Sequence, residues 1–434
     1  VAIDLEVRQG NWRAALETAE LARARAFVDL IASRESGAHA PGTATDVTWR
    51  GAAAGPIAVR SDSSASPSTA SDLTATAAHL HATLLQYWLS DDDLYAWVIA
   101  PDGTINGART AVKRARVEQL VRTVATNTAA TERTAGWKAL YDVLIRPVEK
   151  HLPPRAGARL IVVPHGPLMQ LPFAALRDPR GRYLVERFTL ASVPSVTMLR
   201  YTRARRPADA PPASMLLVAD PSSMPVIAGE RRLPSLPGAL EETRAIARLV
   251  PATRTTLLVR ANATEPRVLA ETPRKNVIHF ATHAIVRDVD PWSSFLALGV
   301  PGDGAADGKL TAQKIYGLSL DADLVVLSAC RSGGGLITGD GIASLARAFF
   351  YAGASSMIVS VWDVADEPAK RLLPAFYRSW LAGAEKDRAL RSAQLALIRD
   401  LRAGRVMVST PAGDVALVED PALWAGFVLL GEPD

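Results

Sequence analysis

A histidine and the chain's one cysteine stand 47 positions apart, each just beyond an apolar run: His283 after VIHFAT and Cys330 after LVVLSA. A thiol attacks a carbonyl well only as thiolate, and its usual activator is a histidine within hydrogen-bond reach, which later protonates the leaving amine. If the two runs are neighbouring strands of one sheet, both side chains emerge at the same sheet edge. Ser332, Gly333, Gly334 and Gly335 follow the cysteine. They let the backbone turn tightly, and the helix expected to open near Gly341 adds its positive end. Backbone amides of Cys330 and Ala284 would then serve as an oxyanion hole. Each residue also has a plainer reading, since a lone strand cysteine can be a small buried hydrophobe and a strand-ending histidine a satisfied structural group. Of the other histidines, His39, His79, His81 and His151 read as surface, and His279 as core or as support for the site. His165 ends a similar run, LIVVPHG, with no cysteine to pair with.

Composition narrows the classes. At 434 residues, 48% hydrophobic and 21% charged, the chain is soluble and globular in type and long enough for two or three domains. A single cysteine rules out an intrachain disulfide and any multi-cysteine metal site, and the thiol chemistry needs no metal or other cofactor. The formal charge of +5 comes from scattered arginines without a compact basic run, so no nucleic-acid partner is expected. No apolar run reaches the length of a membrane span, and the first residues lack the order of a signal peptide, so a cytoplasmic location without membrane contact is the default. Gly339, Asp340 and Gly341 lack the Gly-Lys-Ser/Thr ending of a nucleotide loop and read as a turn.

Four stretches organise the chain. Residues 1–33 read as helix broken at Gly10 and Asn11, and residues 34–72, rich in Ala, Gly, Ser, Thr and Pro, as a flexible linker. Residues 73–205 form a first α/β half, with strands in HATLLQYWLS, LYAWVIA and RLIVV. Residues 206–434 form a second half. Its strands are expected near 215–219, 255–259, 276–281, 295–300, 323–328, 355–361 and 424–430, alternating with helices. Apolar strands alternating with helices imply an α/β fold, a mostly parallel sheet covered on both faces, with function at the carboxyl ends of the strands.

The stretches LPGALEETRAIARL, VIHFATHA, LVVLSACRSGGG, GDGIASLARAFFYAGASSMIVSVWDVAD and PALWAGFVLLGE, in this order, resemble the CHAT family of caspase-like cysteine peptidases, and more distantly separases and caspases. LIVVPHGPLMQLPFAALRD extends the likeness into the first half, which the resemblance makes a catalytically silent pseudo-peptidase half. It implies His283 as general base, Cys330 as nucleophile, and a protein substrate. An acidic residue in SVWDVADEPAK would meet a basic substrate side chain, Asp366 first and Asp363 second. The competing reading of Asp366 is a helix N-cap. The family pattern has glycine at Ala284; if that position requires positive φ, alanine is strained by roughly 1 kcal/mol or more. WRAALETAELARARAFVDLI is similar to the end of a tetratricopeptide array. That implies a fragment of a longer protein, an activating partner acting through upstream repeats, and a role in bacterial defence or cell death. A non-catalytic protein-binding scaffold and a small-molecule thiol acyltransferase are the rival readings. No carboxylate stands out as a third member of the triad, Asp288 being nearest in sequence and expected in a surface loop.

Overall fold

The computed structural model describes residues 1–35, 67–126, 129–205, 213–227, 233–287, 290–302, 304, 306–328, 339–411 and 413–434; for helical residues 26–35, 204–205 and 339–344 it describes the backbone alone. Cys330, its glycine-rich sequel, Asp288 and His39 lie outside the described residues.

The strands in chain order are β1 (Ala82–Leu89), β2 (Asp93–Ile99), β3 (Ile105–Ala111), β4 (Ala158–Val163), β5 (Phe188–Ser192), β6 (Met215–Pro221), β7 (Thr255–Arg260), β8 (Val277–Ala281), β9 (Ala284–Ile285), β10 (Phe295–Ala297), β11 (Lys309–Thr311), β12 (Leu324–Leu327), β13 (Ser356–Ser360), β14 (Met407–Thr410), β15 (Gly413–Ala416) and β16 (Phe427–Gly431). Eleven of them make one sheet, in the order β3-β2-β1-β4-β5-β16-β13-β12-β8-β6-β7. The sheet is parallel except for the β1–β2–β3 edge and the pairing of β16 with β13. Alternation sorts the side chains onto two faces. Val277, Leu324, Val326 and Ile358 join one core cluster, and Ile278, Phe280, Val325, Met357 and Val359 the other. Helices Pro237–Ala247 and Asp366–Leu381 pack together on the first face, and helix Gly339–Ala352 covers the second.

Two expected strands need correction. The segment near 295–300 does not join the parallel sheet. Only Phe295–Ala297 is extended, and it pairs antiparallel with β9 and β11 in a separate three-stranded sheet. The strand near 424–430 begins at Phe427, because Pro421–Trp424 is a helical turn capped by the Asp420 side chain, and it runs antiparallel to β13. Strands β3, β5, β9, β11, β14 and β15 add to the expected set.

Helices Ala2–Arg8 and Trp12–Glu35 form the expected broken helical segment, and it packs on the β1–β3 edge. The Trp12 ring meets Trp97 edge-on at 6.1 Å, and its carbonyl accepts the Trp97 indole N–H at 3.0 Å. Gly107 makes room for Trp12, since a Cβ there would lie 2.0 Å from the ring. Helix Ala70–His79 starts inside the expected linker, whose residues 36–66 lie outside the described residues. Among the described residues, no helix is long and apolar enough to cross a membrane.

Candidate active site

Strands β8 and β12 are parallel neighbours, with Phe280 opposite Leu327, an offset of 47 residues equal to the separation of His283 and Cys330. The ladder is still intact at Ser328, whose N–H donates to the Phe280 carbonyl at 2.8 Å. Beyond β8 the chain turns against β10. The Thr282 hydroxyl donates to the Ala297 carbonyl at 2.6 Å, and the Ala297 N–H donates to the His283 carbonyl at 2.8 Å.

His283 is buried, and its Nε2 lies 2.8 Å from the Pro234 carbonyl oxygen. A carbonyl only accepts, so Nε2 carries the hydrogen, and in the neutral ring Nδ1 holds the free lone pair. Nδ1 is buried and, among the described residues, has no hydrogen-bond partner. A backbone carbonyl therefore orients the ring, in the place where sequence reasoning looked for a carboxylate. That carbonyl is itself held. Asp220, at the end of β6, accepts from the Ser235 hydroxyl at 2.9 Å and from the Leu236 N–H at 2.6 Å. Arg260 pairs with the other Asp220 oxygen at 3.3 Å. No pattern in the sequence marks Asp220; a φ of 46° at a non-glycine residue does.

Ala284 is buried on β9 opposite Leu296. It is not among the residues with positive φ, so the strain anticipated for alanine does not arise.

At the carboxyl ends of β12 and β13 a shallow cleft of about 390 Å³, open solvent included, lies between helices Pro237–Ala247 and Asp366–Leu381, with Gly238, Glu242, Ser328, Ser360, Asp366 and Phe427 among its walls. Asp366 is the first residue of its helix. The N-cap is Ala365, and no side chain caps there. The exposed Asp366 carboxyl lies over Gly238, where a Cβ would come within 2.4 Å of it, so only glycine permits this approach. Asp363 is exposed, three residues earlier, and is not among the residues lining the cleft.

Beneath the cleft lies a polar chain that the sequence did not disclose. Glu242 is buried, with Oε1 3.0 Å from His279 Nε2 and Oε2 accepting from the Ser328 hydroxyl at 3.1 Å. His279 Nδ1 faces the Tyr377 hydroxyl at 3.3 Å. His279 is thus a core residue.

The first half carries the matching histidine in another role. His165 stacks on Trp88 with ring centroids 4.0 Å apart, and its Nδ1 accepts the Leu89 N–H at 3.1 Å. Burial, then the charges of Arg23 and Arg114, pull its pKa down to about 3. Arg23 reaches from the helical segment to 5.7 Å from the Trp88 ring. The lone pair that finds no partner on His283 among the described residues is occupied on His165.

The profile of the CHAT domain matches residues 134–432. Tetratricopeptide repeat protein 28 of Homo sapiens is 32% identical over 341 residues, covering 68% of this chain and 13% of that protein. Its Mus musculus counterpart is 30% identical with the same coverage. The chain thus spans about an eighth of the length of these relatives. Among solved structures, the Saccharomyces cerevisiae separase–securin complex at 2.6 Å resolution superposes with a TM-score of 0.52 at 10% identity, over 84% of this chain and 31% of that chain, a likeness of fold. With the profile running from residue 134 through β16, the chain belongs to the CHAT-domain family.

Proposed function

We propose that the chain is a cysteine endopeptidase that cleaves a protein substrate through His283 and Cys330. The observation that carries this reading is the His283 ring, locked by the Pro234 carbonyl so that a buried, unpartnered Nδ1 remains. The shared offset of 47 supports it, since the strands that precede His283 and Cys330 in the sequence, β8 and β12, are parallel neighbours paired at that same offset. His283 Nδ1 takes the Cys330 proton as sulfur bonds to the scissile carbonyl carbon, and the C=O π pair moves to oxygen, where the amides of Ala284 and Cys330 receive it. Collapse expels the amine, which takes the proton back from His283. Water then attacks the thioester with His283 as base, releasing the acid and restoring the thiol. Asp366 at the cleft favours a basic residue before the scissile bond, with Asp363 as the second choice. A charge-assisted contact of this kind is worth roughly 10- to 100-fold in kcat/KM. Upstream tetratricopeptide repeats and a protein partner would govern when the site works, in a cytoplasmic defence setting.

The test is cleavage of a fluorogenic peptide library, varied at the residue before the scissile bond, by this protein and by Cys330→Ala. Turnover lost in the variant establishes the peptidase. Turnover that survives in the variant, or none from either protein together with no labelling of Cys330 by iodoacetamide below neutral pH, overturns it in favour of a non-catalytic scaffold.

A further inference from the structure

Arg23, on helix Trp12–Glu35, is a cation whose charged head the fold buries without a bond. Its three guanidinium nitrogens are buried and, among the described residues, have no hydrogen-bond partner. The residue as a whole is half-buried, so what it exposes belongs to its stem and backbone, the reverse of the usual arrangement in which the head reaches water. Burial pulls its pKa from 12.5 to about 10 against the charge of Glu20, so at neutral pH it is still a cation. Glu20, three residues earlier, supplies charge but no ion pair among the described residues. Its Oε1 accepts from the Thr197 N–H at 2.8 Å and from the Thr197 hydroxyl at 2.9 Å, and its Oε2 is buried without a partner. A buried guanidinium with its donors unmet is costly until an acceptor completes it.

Two more donors gather where Arg23 reaches the first half. Arg23 Cζ lies 5.7 Å from the centre of the Trp88 ring, and His165 stacks on the same ring at 4.0 Å. The Leu89 peptide sets both of the others. Its N–H donates to His165 Nδ1 at 3.1 Å, which leaves the hydrogen of the neutral ring on Nε2, and its carbonyl accepts from Arg114 Nη2 at 2.6 Å. Arg114 Nη1 comes so close to Gly166 that a Cβ there would stand 3.2 Å from it. Neither Arg114 Nη1 nor His165 Nε2 has a hydrogen-bond partner among the described residues. The carboxylate that meets Arg114 is Asp91, at 3.3 Å and 93% exposed, a pair worth little. His165, Gly166 and Arg114 are half-buried, so the cluster has a side open to solvent. It stands at the carboxyl ends of the parallel neighbours β1 and β4, where sheets of this kind hold ligands. Two guanidinium groups and an imidazole N–H, all donors, suit a tetrahedral oxyanion with several acceptor oxygens.

We propose that Arg23, Arg114 and His165 form a binding site for a phosphate group, free or as a monoester, which ties the helical segment to the first half. The site stands apart from the peptidase reading, which uses none of these residues. The experiment is calorimetric titration at about pH 7.5 and constant ionic strength with inorganic phosphate and with adenosine monophosphate. It is run on the unchanged protein and on Arg23→Gln, Arg114→Gln and, as a control for general surface charge, Arg116→Gln, whose side chain bonds the exposed Gln119. Arg23→Gln and Arg114→Gln should each weaken binding about tenfold or more, and Arg116→Gln should leave it unchanged. Tighter binding of the nucleotide assigns the site to a monoester, and phosphate bound as tightly or more so assigns it to the free anion. Should Arg23→Gln fail to fold, Arg114→Gln decides alone. No binding of either probe, an affinity unmoved in a folded Arg23→Gln or Arg114→Gln protein, or an equal loss in Arg116→Gln overturns the assignment.

Discussion

His165 ties the acid stability of the fold to one ring. Its Nδ1 accepts the Leu89 N–H, and its pKa falls from 6.5 to about 3. Above pH 6.5 neither the folded nor the unfolded chain protonates this ring. Below it the unfolded chain takes up a proton that the folded chain refuses, so the contribution is complete above 6.5 and is lost as pH falls toward 3. The slope approaches about 1.4 kcal/mol per pH unit. Between pH 8 and pH 4.5 the loss is roughly 2 to 3 kcal/mol, and because pH 4.5 lies well above the folded value, the unfolded value alone sets that figure. His165→Gln removes the titration while keeping an acceptor in place. Urea unfolding of both proteins at pH 8 and pH 4.5 supplies the comparison, with the carboxylates and other histidines common to both. The wild-type protein should lose roughly 2 to 3 kcal/mol more than the variant. Equal losses would show that the ring titrates normally in the folded protein and that its stacking on Trp88 and its Leu89 contact do not hold it neutral.

Asp220→Ala frees the Ser235 hydroxyl and the Leu236 amide and places alanine at a φ of 46°. It should cost about 1–3 kcal/mol of stability and lower the kcat of the proposed peptidase about tenfold with little change in KM, because the His283 ring loses its fixed carbonyl. Asp220→Asn keeps an acceptor and tolerates that φ, and should stay near wild type; an unchanged kcat in a folded Asp220→Ala protein would break the chain from Asp220 to His283. Arg159 joins Asp387 at 2.6 Å, Asp434 at 2.8 Å and Glu385 at 3.0 Å. Arg159→Met, which strands the fully buried Asp387, should cost about 3–5 kcal/mol by thermal unfolding, and the double variant Arg159→Met/Asp387→Leu should recover a large part of it. A double variant as unstable as the single one would contradict the desolvation argument.

The order of elements in the second half was legible because strands such as VIHFA and LVVL are continuous apolar runs bounded by helical patterns, and each of them became a buried strand of the parallel sheet. INGARTA was not legible as β3, because this edge strand is only half-buried and carries few large apolar side chains. The likeness to separases reached the fold, and 47 residues of spacing anticipated the strand register. The Pro234 carbonyl was out of reach for a simple reason: a backbone acceptor has no residue type. Glu242 stood within a quoted stretch, beside the exposed Glu241, and only the packing of helix Pro237–Ala247 decides which of the two faces the cleft. Asp366 reads more readily as a helix cap from the sequence, but the cap position falls on Ala365.

Strand β16 lies between β5 and β13, hydrogen-bonded to both, and so joins the strands of the first half to those of the second. A ribosome delivers residues 427–431 after every other strand of this sheet. Until then β5 and β13 each present a bare edge, the kind of surface that recruits strands from other chains. During translation the nascent chain therefore carries two unfinished half-sheets, and the element that seals them also fixes β13, whose carboxyl end borders the cleft. Assembly of the cleft is in this way timed to the arrival of β16, a built-in delay that exposes the growing chain to misassociation and to chaperone capture in the same interval.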